Sequence, residues 1–326
     1  MPNRQPLQRV LVAIGSQPVD TSGLTARFPE IEFDVVGPDA VNDHIAEADA
    51  ALIGWVSPSE TLDKAPRLKW IQTAGAGVER VVGDGFADRG ILLTNGSGVM
   101  APNMAEHVIG LMLAFARGFP DLMKGQQRQS WKNGVGMDTV FELGGQTVLM
   151  VGLGDIALAT AERLQAFGMT VIGVRRSDVT GNPPAHVDRV VSIADIDAVI
   201  GEADHVISSL PHTSETRRLF DGARFARFKD GAYFYNLGRG TSVVQADLIE
   251  ALESGKLGGA GLDVTEPEPL PQGDPLWDAP NVLITAHTAG ATPHFRERVL
   301  ALFADNIARY QSGQDLVNVV DIDRGY

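Results

Sequence analysis

The chain has 326 residues, 44% of them apolar and 21% charged, which is the balance of an ordinary globular protein long enough for two domains. It contains no cysteine, so disulfides, thiolate metal sites and a thiol nucleophile are excluded. A formal net charge of −14 disfavours nucleic acid and anionic membranes as partners, and no apolar run has the length of a bilayer span.

The first residues, MPNRQPLQRVLVAIG, lack the pattern of a secretory leader, so a cytoplasmic protein is expected. Short runs rich in Val, Ile and Leu then alternate with helical patterns. RVLVAIG, ALIGW, LKWIQTAG and ILLTN come first; TVLMVG, TVIGV, HVISSL, AYFYNLG, GAGLDV and NVLITAH follow. Such alternation predicts parallel sheets with helices on both faces. Near Ala101 the pattern changes. APNMAEHVIGLMLAFARG reads as one long helix with Pro102 in its first turn, and a fresh βαβ series begins at Gln146. A second long helix is expected from near Pro293 to about Tyr310. The simplest account is two α/β domains, the second inserted into the first, with the two long helices as a hinge.

TVLMVGLGDIALATAERLQAFGMTVIGV spells a strand, a tight turn, a helix and a second strand. Gly152 and Gly154 fill the first two positions of G-x-G-x-x-G, and Ala157 stands at the third. The first glycine permits the turn, and the second lets backbone approach a pyrophosphate at a helix N-terminus. The context predicts a dinucleotide site. Past the second strand, where an acid would accept from a ribose 2′-hydroxyl, the chain has Arg175, Arg176 and Ser177. A guanidinium fork suits phosphate oxygens, so these residues predict a 2′-phosphate clamp and NADP(H) as the preferred cofactor. The alternative is that the arginines are solvated strand-end charges, with NAD(H) bound despite the missing acid.

Downstream, Arg239 lies in a Gly-Arg-Gly turn after a strand, Asp263 ends the strand GAGLDV, Glu268 follows, and His287 ends NVLITAH. Ligands of open α/β sheets bind at the carboxyl ends of strands. Arginine there can pair with a carboxylate, and histidine passes protons near neutral pH when a neighbouring acid orients it. Each residue alone has a structural reading, a surface turn or a strand-end histidine. Their coincidence with a dinucleotide turn predicts reduction of a carbonyl by hydride transfer.

VGLGDIA, LPHTSETR, NLGRG, GAGLDVTEPEPLP and AHTAGATP, in this order and spacing, resemble the D-isomer-specific 2-hydroxyacid dehydrogenases over nearly the whole chain. The resemblance implies two doubly wound parallel-sheet domains. A Rossmann cofactor domain over 101–291 would be inserted into a flavodoxin-like substrate domain made of 1–100 and 292–326. It implies that Arg239 binds the substrate carboxylate and carbonyl, that Glu268 supports His287 as acid/base, and that Asp263 contacts the nicotinamide amide. The loop Gln72–Gly77 resembles the family's substrate loop, with the N–H groups of Ala74, Gly75, Ala76 and Gly77 on the carboxylate. The remaining cofactor contacts implied are Asp155 and Ile156 at the turn, Leu210, Pro211 and Thr216 in LPHTSETR, Leu237 and Gly238 in NLGRG, and Ala289 and Gly290 beyond His287. Arginines after the second strand give the chain the character of NADPH-dependent glyoxylate/hydroxypyruvate reductases. A small 2-oxo acid or D-2-hydroxy acid is then the expected ligand, and a homodimer the expected assembly. One departure is Ala286, where many members have proline, which bears on loop rigidity.

The other histidines have modest readings. His107 packs or caps within the long helix, His205 begins a strand, His212 belongs to a loop, His294 starts the last helix, and His44 and His186 are exposed. No histidine pair has HExxH spacing and no carboxylates have metal-loop spacing, so no metal is expected. Two rival readings stay open: a nucleotide-sensing protein like the family's corepressors, acting through partners, and a dehydrogenase of the same fold acting on formate or phosphite.

Overall fold

The computed structural model describes residues 5–15, 19–54, 58–78, 81–82, 86–131, 135–137, 139–176 and 179–322. The chain divides into two compact units, Met1–Val99 with Thr292–Tyr326, and Met100–Ala291.

The first unit is built on a five-stranded sheet of β1 (Arg9–Ala13), β2 (Glu32–Val35), β3 (Ala50–Ile53), β4 (Trp70–Thr73) and β5 (Leu92–Thr94). The order is β2-β1-β3-β4-β5 and every pairing is parallel, the flavodoxin-like arrangement. The inner strands β3 and β4 are buried at every position, as parallel strands covered on both faces must be. Trp70 is fully buried, lies 4.9 Å from the Phe303 ring and 5.9 Å from the Tyr310 ring of helix Phe295–Gln311, and donates its indole N–H to Thr94 Oγ1 at 2.9 Å. The edge of β5 is covered by a late segment of the chain. Thr94 bridges Val319 in antiparallel sense, and Val320 N donates to Leu93 O at 2.9 Å.

The second unit carries seven parallel strands: β6 (Thr147–Val151), β7 (Thr170–Arg175), β8 (Arg189–Ser192), β9 (His205–Ser208), β10 (Ala232–Asn236), β11 (Leu257–Leu262) and β12 (Val282–Ile284). Their order is β12-β11-β10-β9-β6-β7-β8, a Rossmann sheet with one further strand, and its switch point lies between β6 and β9. On one face, helix Ala101–Ala116 and helix Asp155–Ala166 share an apolar cluster that includes Val108, Met112, Ala157, Ala161 and Leu164. A second cluster containing Phe220, Phe225, Phe234 and Leu248 packs the sheet elsewhere. Ala157, at the third position of the glycine motif, is fully buried in the first cluster.

Ten strands are visible as apolar runs in the sequence; the described residues form two more, β2 and β8. Both are edge strands, and neither has a fully buried position. One-sided burial removes the continuous apolar run by which an inner parallel strand is recognised.

His205 opens β9 at the end of the sheet away from the strand C-termini and is fully buried. Its Nε2 lies 2.7 Å from Gln146 Oε1, an acceptor, and its Nδ1 lies 3.1 Å from the Tyr235 hydroxyl. A neutral ring with the proton on Nε2 satisfies both. Burial lowers its pKa to about 4, although Asp204 pulls the other way. Among the described residues, no helix is long and apolar enough to cross a membrane.

Candidate active site

In the second unit, β6 runs into a turn at Gly152, which has φ +95°, the left-handed region that favours glycine. A Cβ there would stand 3.2 Å from Ser209 Oγ and 3.3 Å from Leu210 Cδ2, so the turn fits close under the β9 loop. Gly154 caps helix Asp155–Ala166, and nothing lies within 4 Å of the place its Cβ would take. This turn, exposed at Gly154 and Asp155 and half-buried at Ile156, leaves room for a pyrophosphate against a helix N-terminus. The residues present therefore fit a dinucleotide. Arg175 is half-buried at the end of β7, and Arg176, exposed, pairs through Nη1 with Glu215 Oε2 at 3.2 Å. Ser177, the third residue of the expected clamp, lies outside the described residues. In the LPHTSETR loop, Leu210 is buried, and the Thr216 hydroxyl donates to Pro211 O at 2.7 Å and accepts from Thr213 N at 2.9 Å. That loop is thus knotted on itself.

Arg239 follows β10 and is half-buried. Its two glycines are explained by close packing. A Cβ on Gly238 would lie 2.4 Å from Leu210 O, and one on Gly240 would lie 1.9 Å from Thr265 O. The turn is therefore clasped by the loops after β9 and β11, with Leu237 buried beneath it. Asn236 Nδ2 and Ser242 Oγ both donate to Arg239 O, at 3.0 and 2.8 Å, which fixes the backbone from which the guanidinium extends. His212 Nδ1 lies 2.7 Å from Thr241 Oγ1, so that histidine ties the LPHTSETR loop to the same turn.

His287 follows β12, and its Nδ1 is hydrogen-bonded to Glu268 Oε1, the two side chains being 47% and 41% exposed. A carboxylate only accepts, so the proton between them is on Nδ1, and Nε2 is the atom left to exchange with a ligand. Asp263, just past β11, is 2% exposed and turns its acceptors inward. Oδ1 accepts from Thr285 Oγ1 at 2.7 Å, Thr288 N at 2.8 Å and Ala289 N at 3.1 Å, and the Asp263 carbonyl accepts from His287 N at 2.6 Å. The Asp263 carboxylate thus supports the histidine loop from below. Ala289 is buried, and a Cβ on Gly290 would meet Met100 Sδ at 2.8 Å.

The loop Ala74–Gly77 belongs to the other unit. Its carbonyls are engaged: Gly75 O accepts from Thr73 Oγ1 at 2.8 Å and Gly96 N at 2.9 Å, and Ala76 O accepts from Asn95 Nδ2 at 3.0 Å. Ala74 N is used by Ile53 O at 2.8 Å, whereas the N–H groups of Gly75, Ala76 and Gly77 donate to no described group. Consecutive N–H groups can serve as an anion nest where they converge. Gly96 underlies it, since a Cβ would come 2.1 Å from Ala74 O. Asn318, from the segment covering β5, donates Nδ2 to Asn95 O at 3.3 Å and Ser97 O at 2.9 Å.

Five residues of these loops were not singled out in the sequence: Asn95 and Asn318 under the nest, and Asn103, Thr285 and, in this role, His107 around His287. Asn103 Nδ2 donates to Ala289 O at 2.7 Å, and His107 Nε2 lies 2.9 Å from Thr285 Oγ1. The available signal was the four-residue spacing of Asn103 and His107, which puts two polar side chains on one face of an otherwise apolar helix.

Residues 109–289 match the family model described as D-isomer specific 2-hydroxyacid dehydrogenase, NAD binding domain. A glyoxylate/hydroxypyruvate reductase B of Salmonella typhimurium is 34% identical over 308 residues, 91% of this chain and 93% of the relative. A D-isomer specific 2-hydroxyacid dehydrogenase family protein of Aeromonas salmonicida superposes with a TM-score of 0.81 at 33% identity, covering 97% of this chain and 100% of that one. An NADPH-dependent glyoxylate/hydroxypyruvate reductase of Sinorhizobium meliloti, solved with NADP and sulfate, gives a TM-score of 0.80 at 30% identity, covering 98% and 100%. The molecule is an oxidoreductase with a nicotinamide-dinucleotide domain. More narrowly, the chain belongs to the D-isomer-specific 2-hydroxyacid dehydrogenase family.

Proposed function

We propose that the protein reduces a small 2-oxo acid, of the size of glyoxylate or hydroxypyruvate, to the D-2-hydroxy acid, with NADPH preferred over NADH. The observation that carries the reading is the His287–Glu268 pair and Arg239 at the C-terminal ends of β12, β11 and β10, neighbours in one sheet. The N–H groups of Gly75, Ala76 and Gly77 bind the substrate carboxylate, and the Arg239 guanidinium binds carboxylate and carbonyl oxygen, drawing charge toward that oxygen. Gly152, Gly154 and the start of helix Asp155–Ala166 hold the pyrophosphate, with Leu210, Pro211, Leu237, Gly238 and Gly290 as walls of the same site. NADPH, when bound, supplies the hydride. His287 enters the reaction as imidazolium, its Nδ1–H held by Glu268, and delivers the Nε2 proton to the oxygen on which negative charge builds.

Arg175 and Arg176 carry the cofactor preference, since they stand where an acid would accept from a 2′-hydroxyl and repel a 2′-phosphate. The Sinorhizobium neighbour holds NADP, and a Xanthobacter autotrophicus neighbour, 30% identical, was solved with NADPH and MES. A homodimer in the cytoplasm completes the reading. The apolar side chains of Phe119, Met123, Trp131 and Met137 are 50%, 61%, 98% and 93% exposed, and exposed apolar surface of this kind is what a partner subunit covers. Light scattering reads the mass.

The test is the initial rate of NADPH and NADH oxidation with glyoxylate, hydroxypyruvate, pyruvate and phenylpyruvate. Rapid turnover with at least one acid and much slower use of NADH are expected. Faster turnover with NADH would overturn the arginine clamp, and intact NADPH binding without turnover would overturn the reductase reading in favour of a nucleotide sensor.

A further inference from the structure

We infer that Asn103 and His107, on the first turns of helix Ala101–Ala116, are positioning residues that hold His287 in its working orientation through Ala289 and Thr285. This rests on the reading of His287 as the proton donor.

The backbone at His287 needs holding. Ala286 and His287 have φ of +48° and +56°, two successive non-glycine residues in the left-handed region. That conformation is unfavourable for side chains with a Cβ and persists only where the surroundings impose it. Ala286 does not contribute by stiffness, and a proline, with φ locked near about −65°, has no access to the conformation seen here.

The imposing groups form a connected set. Thr285 Oγ1 donates its one proton to Asp263 Oδ1 at 2.7 Å. The contact of the same oxygen with His107 Nε2, at 2.9 Å, must therefore be a bond donated by the histidine. The order is His107 Nε2–H to Thr285 Oγ1–H to Asp263 Oδ1, and the last atom receives Thr288 N and Ala289 N. His107 fixes the direction of the threonine hydroxyl, and the hydroxyl completes the coordination of the carboxylate that pins the loop. Asn103 holds the loop from its other side, donating Nδ2 to Ala289 O at 2.7 Å. Asn103 and His107 lie one helical turn apart, so one rigid face sets two points of a loop whose intervening residues include His287 and Thr288. Neither side chain is bonded to His287 or Glu268, so their effect is on orientation alone.

The experiment compares Thr285→Val with Thr285→Ser, and adds Asn103→Ala, His107→Ala and His287→Ala. Readouts are kcat and KM for the best 2-oxo acid, the pH profile of kcat/KM, the Kd of NADPH by fluorescence titration, and Tm. A displaced acid/base group costs about 10- to 100-fold in rate. Thr285→Val, Asn103→Ala and His107→Ala should each lower kcat by about 10-fold or more, shift the His287 limb of the pH profile, and leave NADPH Kd within about twofold. Thr285→Ser, which keeps the hydroxyl, should restore both rate and profile. The proposal is overturned if the three variants turn over like wild type while His287→Ala is inactive. It is also overturned if their loss of rate follows loss of NADPH binding and Tm with no change in the pH profile and no rescue by serine. Wild-type turnover in His287→Ala would instead remove the reading of His287 itself.

Discussion

The loops around His287 and around Ala76 are built in opposite ways. Around His287 most backbone donors are consumed: the N–H groups of His287, Thr288, Ala289 and Ala291 all bond within the loop or to Asp263. The group it presents with an exchangeable proton is one side chain, the His287 ring. Around Ala76 the carbonyls of Gly75 and Ala76 are consumed, by Thr73, Gly96 and Asn95, and the N–H groups of Gly75, Ala76 and Gly77 donate to no described group. One loop offers a titratable ring whose value depends on its proton. The other offers fixed dipoles, whose charge does not change with pH. Under the proposed reduction, the first property suits an oxygen that gains a proton and the second a carboxylate that does not.

The largest effect should come from removing the side chain that the first loop presents. His287→Ala is expected to lower kcat by about 10²- to 10⁴-fold while NADPH Kd stays near the wild-type value. Near-normal turnover would erase the contrast between the loops.

The units that carry the loops should also differ in tolerance of acid. His205 is buried with its pKa lowered to about 4, whereas His44 and His294 of the other unit are exposed. In the unfolded chain a histidine takes up its proton near pH 6.5, so below that pH the unfolded state binds more protons than the folded one. Stability from this group is complete above about pH 6.5 and is lost as pH falls toward 4, by about 3 kcal/mol in all. Melting temperatures between pH 7.5 and 4.5 should fall less steeply in His205→Gln than in wild type. Parallel slopes would remove His205 as the cause.

A substitution that takes away an N–H should act on the second loop as loss of the ring acts on the first. Ala76→Pro should raise KM for the 2-oxo acid by about 10- to 100-fold, the worth of one hydrogen bond to a charged group, and Ala76→Ser should change it little. Equal effects would mean that this loop, too, works through side chains. The smallest change is expected beneath the nest. Asn95→Ala or Asn318→Ala frees a carbonyl without removing a donor, and should raise the same KM by about fivefold with kcat nearly constant.

What could be read in the sequence follows from the range of the interactions. Gly152, Gly154, Arg239 and His287 announce themselves because a turn or a strand end needs a particular residue at that place in the chain. The inner strands of both sheets are legible for the same reason, being continuous apolar runs. The edge strands β2 and β8 are not, since no position of either is fully buried. The supports of the loops are invisible because their partners are remote. Asn103 and Ala289 are 186 positions apart, His107 and Thr285 178, and Asn95 and Asn318 223. His107 reads as a packing residue in one dimension and hydrogen-bonds the His287 loop in three. Asp263 reads through the family resemblance as a cofactor contact; its hydrogen bonds to Thr285, Thr288 and Ala289 are the part that sequence does not carry.

The segment that covers β5 has a consequence for how the molecule comes into being. The unit from Met100 to Ala291 is continuous in the chain, so all its contacts are available once that stretch has left the ribosome. The other unit must wait for Asn306, Asn318 and Val320, which come after it, before β5 gains its cover and Asn95 its outer partner. During synthesis the turn at Gly152 and Gly154 therefore has the opportunity to form first, and the loop at Ala76 is finished last.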